Sequence, residues 1–149
     1  MATEDDHRLD SQAPWTRGRG WAPHIPVLTV RQPFASLLVH GIKDVENRSW
    51  TPRHRGAMFI HAGRAPAEVA PPLSAPWLAY PTGSVIGLVE LVEITTDASS
   101  RWADHGQHHW HVRPLLVLDE PVPVRGKLHL WRLPDDVAAV VEGAVELRR

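Results

Sequence analysis

The run Ser84, Val85, Ile86, Gly87, Leu88, Val89, Glu90, Leu91, Val92, Glu93 and Ile94 constrains the fold of this chain more than any other. Its apolar residues fall on both parities, so both faces of a strand built from it need cover. Such a strand belongs in the middle of a sheet with a layer on either side. A chain of 149 residues is about one domain long and buries about two-thirds of the surface its unfolded form exposes, enough for one sheet and its covering helices. Glu90 interrupts the run. A carboxylate there must find a partner, stay protonated or face a polar cleft, because burying it unpaired costs several kcal/mol; Arg48 or Lys43 is the candidate partner. Glu93, of opposite parity, reads as solvated.

Around this strand the rest of the chain reads as one domain over residues 25–149, preceded by a tail over 1–24 that is rich in charge, proline and glycine and lacks periodicity. Trp15 and Trp21 are the residues of that tail expected to pack back. His24 to Val30 predicts a short strand, with Pro26 at its start or at an edge. Pro33 then opens a helix through Phe34, Leu37, Leu38 and Val39, which Gly41 stops. Residues 57–62 predict the returning strand of a hairpin with the stretch before it, bringing His61 near that stretch. Residues 63–83 predict a loop with a short helix near 66–69, holding Trp77 and Tyr80 against the core. Residues 97–107 predict a polar loop and 112–118 a further central strand. A last helix is expected over 135–145, with Asp135 and Asp136 favourable at its N-terminus and Val137, Val140 and Val141 on one face.

The densest mixture of charge and apolar residues lies just past Gly41, in Lys43, Asp44, Val45, Glu46, Asn47, Arg48 and Trp50. Residues two apart on a strand share a face, so Glu46 and Arg48 point the same way. Lys43, three residues before Glu46, converges on it only if Lys43 belongs to the turn after Gly41 or if a bulge resets the alternation, and the turn is expected. Only two of the 16 basic residues are lysines, Lys43 and Lys127. Lysine supplies a compact charge or a proton that can be moved, where arginine supplies a fixed fork.

Composition excludes several classes. Without cysteine there is no disulfide framework, thiolate metal site or cysteine nucleophile. The acidic start and the lack of any run near 20 apolar residues point to a cytoplasmic protein with neither signal peptide nor membrane span. A net charge of −1 argues against a general nucleic-acid coat, although Arg48, Arg53, Arg55 and Arg64 gather with His54 and His61. His105, His108, His109 and His111 have no carboxylate placed to complete a metal set, so neither metal nor cofactor is expected.

The run Leu28 to Leu38, followed by Gly41-x-Lys43-x-x-Glu46-x-Arg48-x-Trp50, Arg55-Gly56 and Ile60-His61-Ala62, resembles the ASCH domain, whose signature includes Gly-x-Lys-x-x-Glu/Thr-x-Arg. His109-Trp110 and the segment from Pro121 to Trp131 are similar to the bacterial branch of that family. The resemblance implies an α+β fold of PUA-like type, a small mostly antiparallel β-barrel with flanking helices and a cleft between barrel and helix. It also implies a ligand class, since known relatives bind RNA or modified nucleosides and one bacterial branch is an acetylcytidine amidohydrolase. Carried over, Lys43 is the nucleophile or base, Glu46 stands where the amidohydrolase has threonine, and Arg48 is the motif arginine.

Three readings follow. As a binding module for single-stranded RNA or a modified nucleoside or nucleotide, the chain would hold phosphate with Lys43, Arg48 and Arg55, and Arg31, Gln32 and His61 would also meet the ligand. Trp50 or Trp131 would stack a base, and Glu46 or Glu90 would accept from its exocyclic amine. As a small hydrolase, an acylated-cytidine amidohydrolase or a ribonuclease, it would use Lys43 and Glu46 as a proton-transfer pair. As a structural module, the charged cluster would only tie the barrel together. Binding is ranked first.

Overall fold

The computed structural model describes residues 20–68 and 80–146. Strands β1 (Val27–Val30), β2 (Val45–Arg48), β3 (Gly56–Ala62), β4 (Ser84–Thr95), β5 (His108–Pro123) and β6 (Leu130–Trp131) form one sheet in the order β2-β5-β4-β3-β1-β6. All neighbours are antiparallel except β1 and β3. Helices α1 (Phe34–Val39) and α2 (Asp135–Glu146) cover its two faces. This is the mostly antiparallel α+β architecture that the resemblance implies.

The doubly apolar run becomes β4, with β3 and β5 on either side. One face of the sheet carries Val27, Phe59, Leu88 and Leu116 and packs with Ala138, Val141 and Val145 of α2. The other carries Leu28, Met58, Ile60 and Val89 and packs with Ala35, Leu38 and Val39 of α1. Burying a valine or leucine side chain stabilises by about 1.5–3 kcal/mol, so each layer is held by several such side chains. In α2 the buried stripe runs through Ala138, Val141 and Val145, whereas Val140, expected to face inward, is exposed. Spacings of three and four set the stripe, and Ala138 rather than Val140 lies on it.

Trp21 and Ala22, from the segment read as a tail, are buried, and Trp21 stacks on Phe59 with ring centroids 6.0 Å apart. Trp15 and Trp77 lie outside the described residues, as does Val69 of the short helix expected near 66–69; residues 66–68 are not helical. The expected hairpin between β2 and the strand over 57–62 does not form. β2 pairs with β5, while β3 pairs with β1 and β4. The 16-residue β5 is long enough to take β2 along its first four residues, His108 to His111, and β4 along most of its length.

Register shifts at Ile60/His61 in β3, and at Val85/Gly87, Leu88/Val89 and Leu91/Glu93 in β4, bend the sheet. It curls into a half-barrel. Among the described residues β2 and β6 do not pair with each other, which leaves a seam between β2 and the β1-β6 edge. Arg48 of β2 crosses that seam, donating from Nη2 to the carbonyl of Thr29 in β1 at 3.0 Å. The seam is thus narrow enough for one side chain to span.

Two glycines set the position of α1. A Cβ on Gly87 would lie 2.5 Å from the Leu116 carbonyl and 3.1 Å from Val39 Cγ1, so the helix end rests where β4 has no side chain. Gly41 has φ +78°, the left-handed conformation that closes a helix. Its N–H donates to the Leu38 carbonyl and that of Ile42 to the Leu37 carbonyl, the paired bonds of a Schellman cap. The N–H of Lys43 also donates to Leu37.

Candidate functional site

Because the helix cap ties down the backbone of Lys43, its side chain is aimed from the turn toward β2 rather than from the strand itself. Lys43 is 4% exposed, and its Nζ donates to the Val45 carbonyl and to Glu46 Oε1, the latter at 3.0 Å. The ammonium also lies 5.4 Å from the centre of the Phe34 ring. Glu46 Oε2 accepts from Arg48 Nε at 3.1 Å and Nη2 at 2.8 Å. A buried carboxylate thus lies between two cations, with Arg48 on the same strand face as the two-residue spacing requires. Taking such charges out of water is costly unless each is paired, and here each is paired.

This row of charges forms one wall of a cleft of about 880 Å³ along the seam. Arg31, Arg48, Arg101, Lys43 and Lys127 line it against two carboxylates, Glu46 and Asp104. Aromatic rings stand at its rim. Trp50 packs edge-on to Trp110 at 4.9 Å and to His129 at 5.0 Å, and the Arg101 guanidinium lies over Trp102 at 4.8 Å. Among the described residues Arg31 and Lys127 make no side-chain hydrogen bond or ion pair.

The residues singled out from the sequence divide. Lys43, Glu46, Arg48, Trp50 and Arg31 line the cleft; Gln32, Arg55, His61, Glu90 and Trp131 do not. Gln32 is fully buried at the start of α1, where its side chain bonds the Ser36 N–H and hydroxyl and the Pro81 carbonyl. Arg55 is exposed and donates to the carbonyls of Pro52 and His54 within its own turn. Glu90 pairs with neither Lys43 nor Arg48. It meets Arg113, its direct neighbour across β4 and β5, at 2.6 Å.

His61 sits on β3 beside Thr29 of β1 and is 1% exposed. Its Nε2 lies 2.7 Å from the Val124 carbonyl. A carbonyl only accepts, so Nε2 carries the hydrogen. In a neutral ring Nδ1 then accepts, here from the Thr29 hydroxyl at 3.2 Å, and that hydroxyl accepts in turn from Trp131 Nε1 at 3.1 Å. Burial pushes His61 below its ordinary value of 6.5, partly offset by the bond to Val124. Both its nitrogens are committed to the frame.

Sequence reasoning missed Asn47, Arg101, Trp102, Lys127 and His129. Asn47 donates to the Trp102 carbonyl and accepts from the Asp104 N–H, each at 2.8 Å. It thereby holds the loop before β5 over the cleft. His109 holds the same loop from below. Its Nδ1 accepts from the Ala98 N–H at 3.1 Å and its Nε2 donates to the Asp104 carbonyl at 2.7 Å. No group of His, Asp and Glu among the described residues is arranged to hold a metal. The available cues were the adjacent Arg101 and Trp102 inside a polar segment, and Lys127 as the second of two lysines.

A curled, mostly antiparallel sheet with a helix on each face and a cationic, aromatic-rimmed seam defines an α+β half-barrel of PUA-like type. The ASCH domain family pattern matches residues 28–121, and the chain belongs to that family. Human activating signal cointegrator 1 is 40% identical over 88 residues, 50% of this chain and 14% of that protein. The mouse protein of the same name is 38% identical over 139 residues, 79% of this chain and 23% of that protein. The chain thus spans under a quarter of the length of either relative. A crystal structure of a ZmASCH mutant from Zymomonas mobilis superposes with a TM-score of 0.53 at 17% identity, covering 79% of this chain and 96% of that one, a likeness of fold. No helix among the described residues is long and apolar enough to cross a membrane.

Proposed function

We propose that the seam cleft binds single-stranded RNA, taking one unstacked nucleotide between its aromatic rim and its cationic wall. The observation that carries this is the meeting, in one open cleft, of two cations with no side-chain partner among the described residues, Arg31 and Lys127, with the rings of Trp50, Trp102 and His129. A base stacks on a ring and a phosphate is held by a nearby cation, the two elements of single-strand recognition. The ion-paired Lys43, Glu46 and Arg48 serve as the polar floor that the base edge meets.

The arrangement supports binding over hydrolysis. A nucleophilic amine must present a lone pair to its substrate. Lys43 instead spends its N–H groups on the Val45 carbonyl and Glu46 and is nearly inaccessible. The test measures anisotropy of a labelled short RNA together with turnover of acetylcytidine and of the RNA. Trp50→Ala is expected to weaken RNA binding by about tenfold to a hundredfold, the worth of one base–aromatic stack, with no turnover by either protein. RNA affinity unchanged in Trp50→Ala overturns the placement. Turnover that disappears in Lys43→Ala overturns the binding reading in favour of a hydrolase.

A further inference from the structure

A second pocket, of about 640 Å³, opens beside the cleft and is lined by Arg64, Arg125 and Lys127 with no carboxylate. The two pockets share Thr29, Lys127 and Leu128 as a common wall. Leu128 crowns that wall at 85% exposure, the most exposed large apolar side chain among the described residues. Arg64 and Arg125 make no side-chain hydrogen bond or ion pair among the described residues, and both are exposed. His61 forms the floor, but its two ring nitrogens are already bonded to Thr29 and Val124, so it brings neither charge nor a free donor. The second pocket therefore offers charge and little else.

We infer that the ligand is an oligonucleotide whose strand crosses the ridge formed by Lys127 and Leu128, with its neighbouring phosphates in the second pocket. This rests on the reading of the cleft as an RNA site and adds the path of the strand and the length of ligand required. Chemistry separates the two halves. The cleft has rings and hydrogen-bonding groups that can meet a base, whereas the second pocket has three cations that can neutralise a backbone and no ring along its wall other than the committed His61. Leu128 supplies the apolar surface a base needs where the strand bends over the ridge. A nucleoside alone would leave Arg64 and Arg125 unused.

The experiment compares cytidine monophosphate with di- and tetranucleotides of RNA, on the wild type, an Arg64→Gln/Arg125→Gln variant and Trp50→Ala, with thermal melting of each. The tetranucleotide is expected to bind at least about tenfold more tightly than the mononucleotide, with a steeper salt dependence. The double variant should melt like the wild type, bind the mononucleotide unchanged, and lose the length advantage. Its slope of log affinity on log salt should fall by about 1.4, the release expected from two phosphate contacts on a single strand. Affinity independent of length, or a tetranucleotide bound equally by the double variant, overturns the strand path while leaving the cleft reading intact. Mononucleotide affinity unchanged in Trp50→Ala, or no binding of any probe, overturns both.

Discussion

Two buried polar networks meet at Thr29 and differ in what they are made of. On one side, Arg48 reaches the Thr29 carbonyl and, through Glu46, joins Lys43 in a charged row facing the cleft. On the other, the Thr29 hydroxyl links Trp131 to His61 in a neutral chain that ends on the Val124 carbonyl. Residues of both lie in the family signature and were singled out as site candidates. Only the charged row faces the open seam; the neutral chain saturates its own donors and acceptors and fixes β1, β3 and β6 to one another. A polar residue in a signature can therefore serve the frame as well as the ligand, and what separates the two roles is whether its hydrogen-bonding capacity is already spent.

The sharpest break of this contrast is Glu46→Ala, which strands a lysine that is 4% exposed and should lower unfolding free energy by about 3–5 kcal/mol, the cost of leaving a buried charge unpaired. Urea denaturation measures it. Lys43→Met with Glu46→Leu, which removes the buried pair together, should recover most of that loss and still bind RNA poorly. Thr29→Val comes next. It leaves Trp131 Nε1 and His61 Nδ1 without their partner but keeps the backbone carbonyl for Arg48, so a stability loss of about 1–3 kcal/mol is expected with RNA binding retained. Asn47→Ala should cost no more than this, about 0.5–1.5 kcal/mol for each of its two bonds, and should loosen the loop that carries Arg101 and Trp102. Hydrogen exchange at Asp104, whose N–H bonds Asn47, reports that loosening directly.

The smallest effect concerns pH. Because the folded state holds His61 below 6.5, the unfolded chain binds its proton first as pH falls. The stability this histidine contributes is complete above 6.5 and is lost as pH drops through the lowered folded value. His61→Gln should flatten that part of the stability profile. A profile identical to the wild type would show that the neutral chain does not depend on the uncharged ring.

Local rules carried some residues and not others. The doubly apolar parity of β4, the stop at Gly41 and the shared face of Glu46 and Arg48 were all legible, because each depends on neighbours within a few residues. Partners across strands were not. Alternation says which face Glu90 occupies, but Arg113 lies 23 residues away, and only the register of β4 with β5 brings them together. The same gap sent β2 toward β3 in the sequence reading when its partner is β5. It also hid the cleft's second wall, since the loop over 96–107 folds across only once His109 and Asn47 have caught its backbone. The mostly antiparallel fold was implied by the family resemblance, whereas periodicity gave only the separate strands and helices.

The cap of α1 has a further consequence. One carbonyl, that of Leu37, accepts from both Ile42 and Lys43, so the interval from the last helical turn to the lysine works as a ruler rather than a linker. One extra residue between Gly41 and Lys43 would carry the ammonium away from Glu46, and one fewer would pull it back over the helix end. The Gly-x-Lys spacing is thus a length standard for the site, and a gauge of this kind tolerates exchange of its middle residue, Ile42, far better than any change in its count.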